Sequence, residues 1–591
     1  MSKTTKLELT WIGKENHPKL EPRILLNDPQ HSHHARARVS ERDIFDNMLI
    51  HGDNLLALKS LEQKFTGEIK CIYIDPPFNT QQALEHYDDG IEHSLWLGLM
   101  RDRLELIRKL LSDSGTLFVH IDDNELGYLI VLLDEVFGRA NRLYAVTFRQ
   151  ASPTGHKAIN PGCVSTSNFI LIYAKNKDCW VPNRVFTARE RDPRYTQFIP
   201  NLDDDFRRWK IMPLMKGFAE HRGESEKAAR LAVKDDPALL DEFVIDNAKK
   251  VIQLARPDYD NVGAATKMLI DKSTEQPKQI FRLERDGYPD IYLIGGKRIL
   301  FYSDKLKLID GKYVTGEPLT TIWDDVLSNN LHNEGGVAFP KGKKPEALVK
   351  RMLELSTEEG DWVLDSFAGS GTTGAVAQKM HRKWIMVELR EQCDTHIVPR
   401  LRRVIDGEDV SGVTDAVQWR GGGGFRYYRL APSLLEKDRF GNWIINKQYN
   451  PPMLAEAMCK LEGFTYAPSD TIYWMHGQST ERDFIYVTTQ TLTREQLQKL
   501  SDEVGESRSL LVCCSAFRVK DTSQFLNLTI KKIPKIVLNR CEWDRDDYSL
   551  EIKSLPQAEA APQSPRNGRR KRNNGSMDLF AAVADKGGKG K

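Results

Sequence analysis

Apolar and polar positions divide the 591-residue chain into stretches of different rhythm. From Met48 onward, short apolar runs alternate with helical stripes. "MLIHGDNLLALKSL" predicts a strand, a turn and a helix, and Cys71-Ile72-Tyr73-Ile74 predicts a short buried strand rich in β-formers. In "SLWLGLMRDRLELIRKLL", Leu97, Met100, Leu104, Ile107 and Leu111 recur at helical steps of three and four. "GTLFVHID" predicts the next strand, and a helix follows from Leu126 to Val136. "LYAVTFRQ" and "FILIYAKN" predict two more strands joined by a polar loop. Strands alternating with helices imply an α/β fold with a doubly wound, mostly parallel sheet.

The rhythm breaks at about Lys177 and returns after Leu331. Between them the chain is charged and irregular, with interleaved aromatic and basic residues such as "FRRWK" and "KRILFYSDKLK". A structureless loop of that length inside a compact domain is improbable, so residues 177–331 are expected to be an inserted domain. It divides the α/β core into halves, 46–176 and 332–424. In the second half Pro345 stands at a helix start, with Leu348, Met352 and Leu355 on one face. After Gly421–Gly424, "DFIYVTTQ", "REQLQKLSDEV" and "SLLVCCSA" predict a smaller C-terminal α/β domain over 425–555. Residues 1–45 read as a polar leader, and 556–591, rich in Pro, Ala, Gln, Asn, Gly and basic residues, as a disordered basic tail.

Composition narrows the class. The 40% hydrophobic and 28% charged content is that of an ordinary globular protein, too long for one core. No apolar run approaches a bilayer's thickness, and the N-terminus lacks a signal-peptide core, so no membrane association is expected. Eight scattered cysteines form no CxxC pair, which implies reduced thiols, a cytoplasmic location and no metal site. "HSHH" at His31–His34 has no partner cluster and reads as solvated linker. A net charge of +2 confines any polyanion surface to local basic patches.

Two motifs carry chemistry. In "CIYIDPPFNT" the strand ends on Asp75, followed by two prolines that lack N–H groups and have fixed φ. The result is a rigid spur at a strand's carboxyl end, bearing a carboxylate and the Phe78 ring. "DSFAGSGTTG", Asp365–Gly374, is a glycine-rich strand-to-helix turn whose small residues let a ligand approach the backbone. It fits neither the P-loop nor the dinucleotide fingerprint. Glu388 ends the next strand, where an acid can accept hydrogen bonds from both ribose hydroxyls. An adenosine without pyrophosphate is implied, and S-adenosylmethionine fits.

"DPPFNT" and "DSFAGSGTTG", in that order and about 290 residues apart, resemble the β class of amino-directed DNA methyltransferases. More narrowly, the chain resembles the modification (Mod) subunit of type III restriction–modification systems. The likeness covers roughly Met48 to Arg429 and includes "HGDNLLAL", "WDDV", "GGVAFPKGKKPE" and "GGGGFRYYRL". It implies a Rossmann-like methyltransferase sheet with an inserted target-recognition domain. Asp75, Pro76, Pro77 and Phe78 become the catalytic clamp. An exocyclic amine is a poor nucleophile; Asp75 and the Pro76 carbonyl would each accept one of its N–H groups, and Phe78 would stack on the flipped base. Asp365, Phe367, Ala368, Gly369, Ser370, Gly371, Thr372, Thr373 and Glu388 would hold S-adenosylmethionine. Asp53 would receive the cofactor's adenine amine, an Asx turn being the other reading. Lys343 would reach its carboxylate, with solvated surface an equal alternative. His86, His120 and His156 receive no role.

The implied activity is adenine-N6 methylation at a specific duplex sequence, as part of a restriction or phage-defence system. Adenine rests on the resemblance, since the clamp permits N4-cytosine equally. Other readings are a DNA-recognition scaffold guiding a helicase–nuclease, and an RNA or protein-glutamine methylase, which the large insert disfavours. Expected partners are duplex DNA, a second copy and a restriction (helicase–nuclease) subunit. "SMDLF", Ser576–Phe580, also resembles the "QLDLF"-type peptide of the bacterial sliding clamp's partners, without its leading Gln. That makes the clamp a candidate partner through Met577–Phe580.

Overall fold

The computed structural model describes residues 8–78, 93–152, 162–326, 331–339 and 342–549. Ten strands form one mixed sheet: β1 (Leu25–His34), β2 (Asn47–His51), β3 (Ile69–Ile74), β4 (Leu111–Ile121), β5 (Arg142–Arg149), β6 (Ser167–Ala174), β7 (Ile322–Trp323), β8 (Trp362–Asp365), β9 (Lys383–Glu388) and β10 (Gly424–Leu430). Their order across the sheet is β1-β10-β2-β9-β8-β3-β4-β6-β5-β7. The six strands from β10 to β4 are mutually parallel. β1 is antiparallel to β10, and β6 is antiparallel to both β4 and β5. The two strands "LYAVTFRQ" and "FILIYAKN" thus form an antiparallel pair within an otherwise largely parallel, doubly wound sheet.

Helices cover both faces, which is why β3, β8 and β9 are near-continuous apolar runs rather than alternating ones. On one face lie α1 (Asn54–Phe65), α2 (His93–Leu110) and α3 (Leu126–Leu133), packed through Leu58, Trp96, Met100, Leu104 and Leu129. On the other lie α4 (Glu346–Ser356), α5 (Thr372–Lys379) and α6 (Val398–Ile405), packed through Leu348, Met352, Val376 and Leu401. The chain leaves β3 toward β4 and leaves β8 toward β9, in opposite directions along the sheet. The carboxyl ends of β3 and β8, which are neighbours, therefore flank a topological switch point, where such sheets bind ligands. Among the described residues no helix is long and apolar enough to cross a membrane.

Three expected boundaries shift. The polar leader supplies β1, registered from Leu25 opposite Leu430 to His34 opposite Gly424. An edge strand needs little apolar surface, so its polar text concealed it. "HSHH" is part of that strand: His31 Nδ1 lies 2.9 Å from Asp28 Oδ2, and His33 Nε2 lies 2.9 Å from Asp406 Oδ1. The expected insert ends before 331, because Ile322–Trp323 pairs with β5 and buries Trp323 in the main core. Gly424–Leu430 is β10, inside the main sheet rather than opening the C-terminal unit.

Between β6 and β7 the insert builds a six-stranded antiparallel sheet and a three-stranded one, with its own core around Phe198, Phe218, Phe243 and Val251. The C-terminal segment carries a five-stranded sheet with helices Pro451–Glu462 and Arg494–Val504. The tail, with Met577–Phe580, lies outside the described residues.

Candidate functional site

The Asp75–Phe78 spur leaves β3 and is pinned from below. Fully buried Trp96 on α2 donates its Nε1–H to the Pro77 carbonyl at 2.8 Å. The two oxygens of Asp75 have different environments. Oδ2 is 2.6 Å from Lys344 Nζ, whereas Oδ1 is buried with no hydrogen-bond partner among the described residues. Burial raises the Asp75 pKa, and Lys344 opposes that rise. The Lys344 ammonium also lies 5.0 Å from the centre of the Phe78 ring. The His120 ring stacks near Phe78, at 5.8 Å and 24°. Burial, and then the charge of Lys344, hold His120 well below the usual imidazole pKa, so it is neutral.

One strand over, Asp365 ends β8 and closes the glycine loop around itself. Oδ1 accepts the Phe367 N–H at 2.9 Å and Oδ2 the Thr373 hydroxyl at 2.5 Å. Burial pushes its pKa up to about 7, with smaller contributions from the facing charges of Asp75 and Glu388. Gly369 and Gly371 hold φ of +53° and +77°, a region that side chains disfavour, and a Cβ on Gly371 would meet Ile397 Cγ2 at 2.9 Å. Glu388, at the end of β9, accepts N–H groups from Gly369 at 2.8 Å, Leu389 at 3.1 Å and Arg390 at 3.2 Å. Burial raises its pKa to about 7 as well.

A buried charge network ties this loop to α4. Arg400 donates to the Thr372 hydroxyl at 2.8 Å and to Glu346 Oε1 at 2.7 Å. Lys379 Nζ bridges Glu346 Oε2 at 2.7 Å and Asp409 Oδ2 at 2.8 Å. These four side chains are essentially inaccessible to solvent. Glu346 opens α4, where the helix dipole favours an acid, and stands two residues after Lys344. The network fixes the glycine loop and the Lys344 segment as one unit.

The structure brings the Asp75–Phe78 spur, the 365–373 loop and Glu388 to the ends of three consecutive strands. Two expected ligands are engaged elsewhere. Asp53 caps α1, accepting from Leu55 and Leu56 N–H on Oδ1. Its Oδ2 accepts the Tyr548 N–H at 3.0 Å and lies 3.6 Å from Arg103. The alternative reading, a turn-type capping role, is what its contacts show. Lys343 turns inward, donating to the Glu334 and Val337 carbonyls, with burial and Arg400 lowering its pKa to about 8. It is Lys344 that reaches Asp75. The residue before a proline is held extended, and successive side chains on an extended backbone point oppositely, so the Lys344-Pro345 step was the available signal.

His51, Cys393 and Asp394 also gather their ligand atoms within 4.8 Å of one another. The guanidinium of Arg429 sits 3.0 Å from His51 Nδ1 and 3.6 Å from Asp394, so that cluster already holds a cation.

A family model described as DNA methylase matches residues 69–397. The "Probable type III restriction-modification enzyme HindVI Mod subunit" of Haemophilus influenzae is 34% identical over 411 residues, covering 66% of this chain and 54% of that protein. The type III restriction-modification enzyme EcoP15I Mod subunit of Escherichia coli is 27% identical over 436 residues, covering 64% and 62%. The chain thus spans between about half and three-fifths of the length of these relatives. Among solved structures, PvuII DNA methyltransferase (cytosine-N4-specific) aligns over 64% of this chain and 93% of its own at 14% identity, with a TM-score of 0.29.

Proposed function

The chain belongs to the DNA methylase family, and from that membership we propose that it methylates the exocyclic amine of a base in duplex DNA, the N6 of adenine at a specific sequence. S-Adenosylmethionine, when bound, supplies a sulfonium methyl group, which leaves a neutral thioether as its carbon bonds the amine nitrogen. The residues present suit that cofactor. Two carboxylates end adjacent strands beside a glycine loop. The buried Ser366 Oγ in the loop, and Gln392 Nε2 just beyond Glu388, lack hydrogen-bond partners among the described residues. Glu388 would accept the ribose hydroxyls on lone pairs its backbone donors leave free.

The observation that carries the reading is the Asp75 carboxylate: one oxygen anchored, the other buried and unpartnered at the switch point. Oδ1 can accept an amine N–H, drawing the nitrogen toward a pyramidal geometry. It can also receive the surplus proton, since burial already raises its pKa. Trp96, donating to the Pro77 carbonyl, holds the backbone of the spur that carries Asp75.

The relatives' names describe Mod subunits of restriction-modification enzymes, and we assign this chain the same place. It would be the cytoplasmic modification and recognition subunit of a type III-like restriction or phage-defence system, working with a helicase–nuclease partner. Residues 177–321 would read the DNA sequence. A second copy of the chain, and a sliding clamp bound through Met577–Phe580, remain expectations from sequence. Incubating the purified chain with labelled S-adenosylmethionine and mixed-sequence duplex, then digesting to nucleosides, tests the reading. Labelled N6-methyladenine is expected. Labelled N4-methylcytosine would correct the base, and no labelled nucleoside at all would overturn the function.

A further inference from the structure

Lys344 has no role in the chemistry as so far described, yet it makes the shortest polar contact to Asp75. Its ammonium is 2.6 Å from Oδ2, and its side chain is 8% exposed. It cannot drift readily, because its segment is clamped. Its own carbonyl accepts the Thr372 hydroxyl at 3.3 Å, and Pro345 and buried Glu346 follow immediately. We propose that Lys344 is the positioning residue of the methyl-transfer site: it holds Asp75 ionised and turned so that Oδ1 faces the target amine. This rests on the methyl-transfer reading above.

Three observations support it. First, the division of labour is already visible, with Oδ2 satisfied by Lys344 and Oδ1 buried and unpaired among the described residues. A buried acceptor without a partner is costly, and a site that retains one is commonly built for a ligand donor. Second, burial pushes the Asp75 pKa up and favours the neutral carboxyl, an effect that a nearby cation opposes. The titratable groups facing it are Tyr73 on its own strand and Asp365 on β8, with His120 on β4 facing Lys344. Tyr73 and His120 are uncharged at neutral pH, and Asp365 is acidic. Among these groups Lys344 alone offsets the desolvation of Asp75. Third, the ammonium sits over Phe78, the ring on which the base would stack, so one cation orders both halves of the clamp.

The rival reading is that Lys344 occupies the amine's place and must leave before the base enters. The two readings differ in sign. The test uses the full chain, with methyl transfer to duplex DNA followed from pH 5.5 to 9. For Lys344→Met, kcat should fall roughly tenfold to a hundredfold, and the acidic limb of the pH profile should move up by about one unit or more, the size expected on losing an opposite charge within about 4 Å. Affinity for S-adenosylmethionine, measured by calorimetry, should stay within about twofold, which also shows that the variant is folded. Lys344→Arg should return the limb toward its original position. A fall in kcat without any movement of the limb would reduce Lys344 to a structural part. Unchanged or faster turnover would make it a displaced occupant, and a dominant loss of cofactor affinity would make it a cofactor ligand; each overturns the proposal. If the unaltered chain transfers no methyl group, the functional reading fails instead.

Discussion

Replacing Arg400 by methionine probes how strongly the glycine loop depends on the buried network beneath it. Lys379 and Arg400 face Glu346 and Asp409, two cations against two anions, with almost no solvent access. Arg400→Met leaves one uncompensated buried negative charge. Breaking a buried ion pair from one side costs about 3–5 kcal/mol. The low end applies, because Glu346 keeps Lys379 at 2.7 Å and the Val413 N–H at 3.1 Å. About 3 kcal/mol corresponds to roughly a hundredfold in the folding equilibrium. Thr372 also loses its donor, so cofactor affinity should fall together with stability. The assay is urea unfolding of the full chain, followed by tryptophan fluorescence, with calorimetric titration of S-adenosylmethionine alongside. Arg400→Met/Glu346→Gln removes the imbalance, since Lys379 and Asp409 remain paired, so the double variant should be less costly than the sum of its singles by roughly 1–3 kcal/mol. Strict additivity, or a single-variant cost below about 0.5 kcal/mol, would refute the view that these charges act as one unit.

Asp75→Ala should abolish methyl transfer while leaving cofactor affinity within about threefold, because its free oxygen acts on the amine; substantial residual turnover would contradict the clamp. Gly369→Val places a β-branched residue at φ +53° beside Glu388, a strain of about 1–2 kcal/mol or more, and calorimetry should show cofactor binding lost. The pKa of Glu388 is about 7 in the folded protein against 4.5 unperturbed, so the folded state holds the extra proton between those values. Its contribution is therefore fully present below about pH 4.5 and lost as pH rises through about 7. Glu388→Gln should flatten that part of the stability profile, and an unchanged slope would count against a raised pKa. Affinity for the cationic cofactor should rise over the same interval in the unaltered chain as Glu388 ionises.

The chain's own text determined the architecture of the core, because burial on both faces of a parallel sheet forces continuous apolar strands and striped helices. Cys71–Ile74 and Trp362–Asp365 could hardly be anything else, and their acidic ends, followed by prolines or glycines, marked the candidate site that the sheet brings together. What sequence could not determine was pairing at a distance. β1 and β10 are neighbours across nearly four hundred residues, and an edge strand exposed to water carries too little apolar signal to stand out from a leader or a domain start. The same limit applies inside the site. Lys343 and Lys344 have the same chemistry and adjacent numbers, and only the direction of an extended backbone entering Pro345 sends one toward loop carbonyls and the other toward Asp75. Asp53 looked like a ligand because it ends a strand, yet it caps α1 and meets the backbone of Tyr548, a contact between residues 495 positions apart. Local propensity and spacing are written in short windows of sequence. Which oxygen is satisfied, and by which cation, depends on segments that only the folded chain brings together.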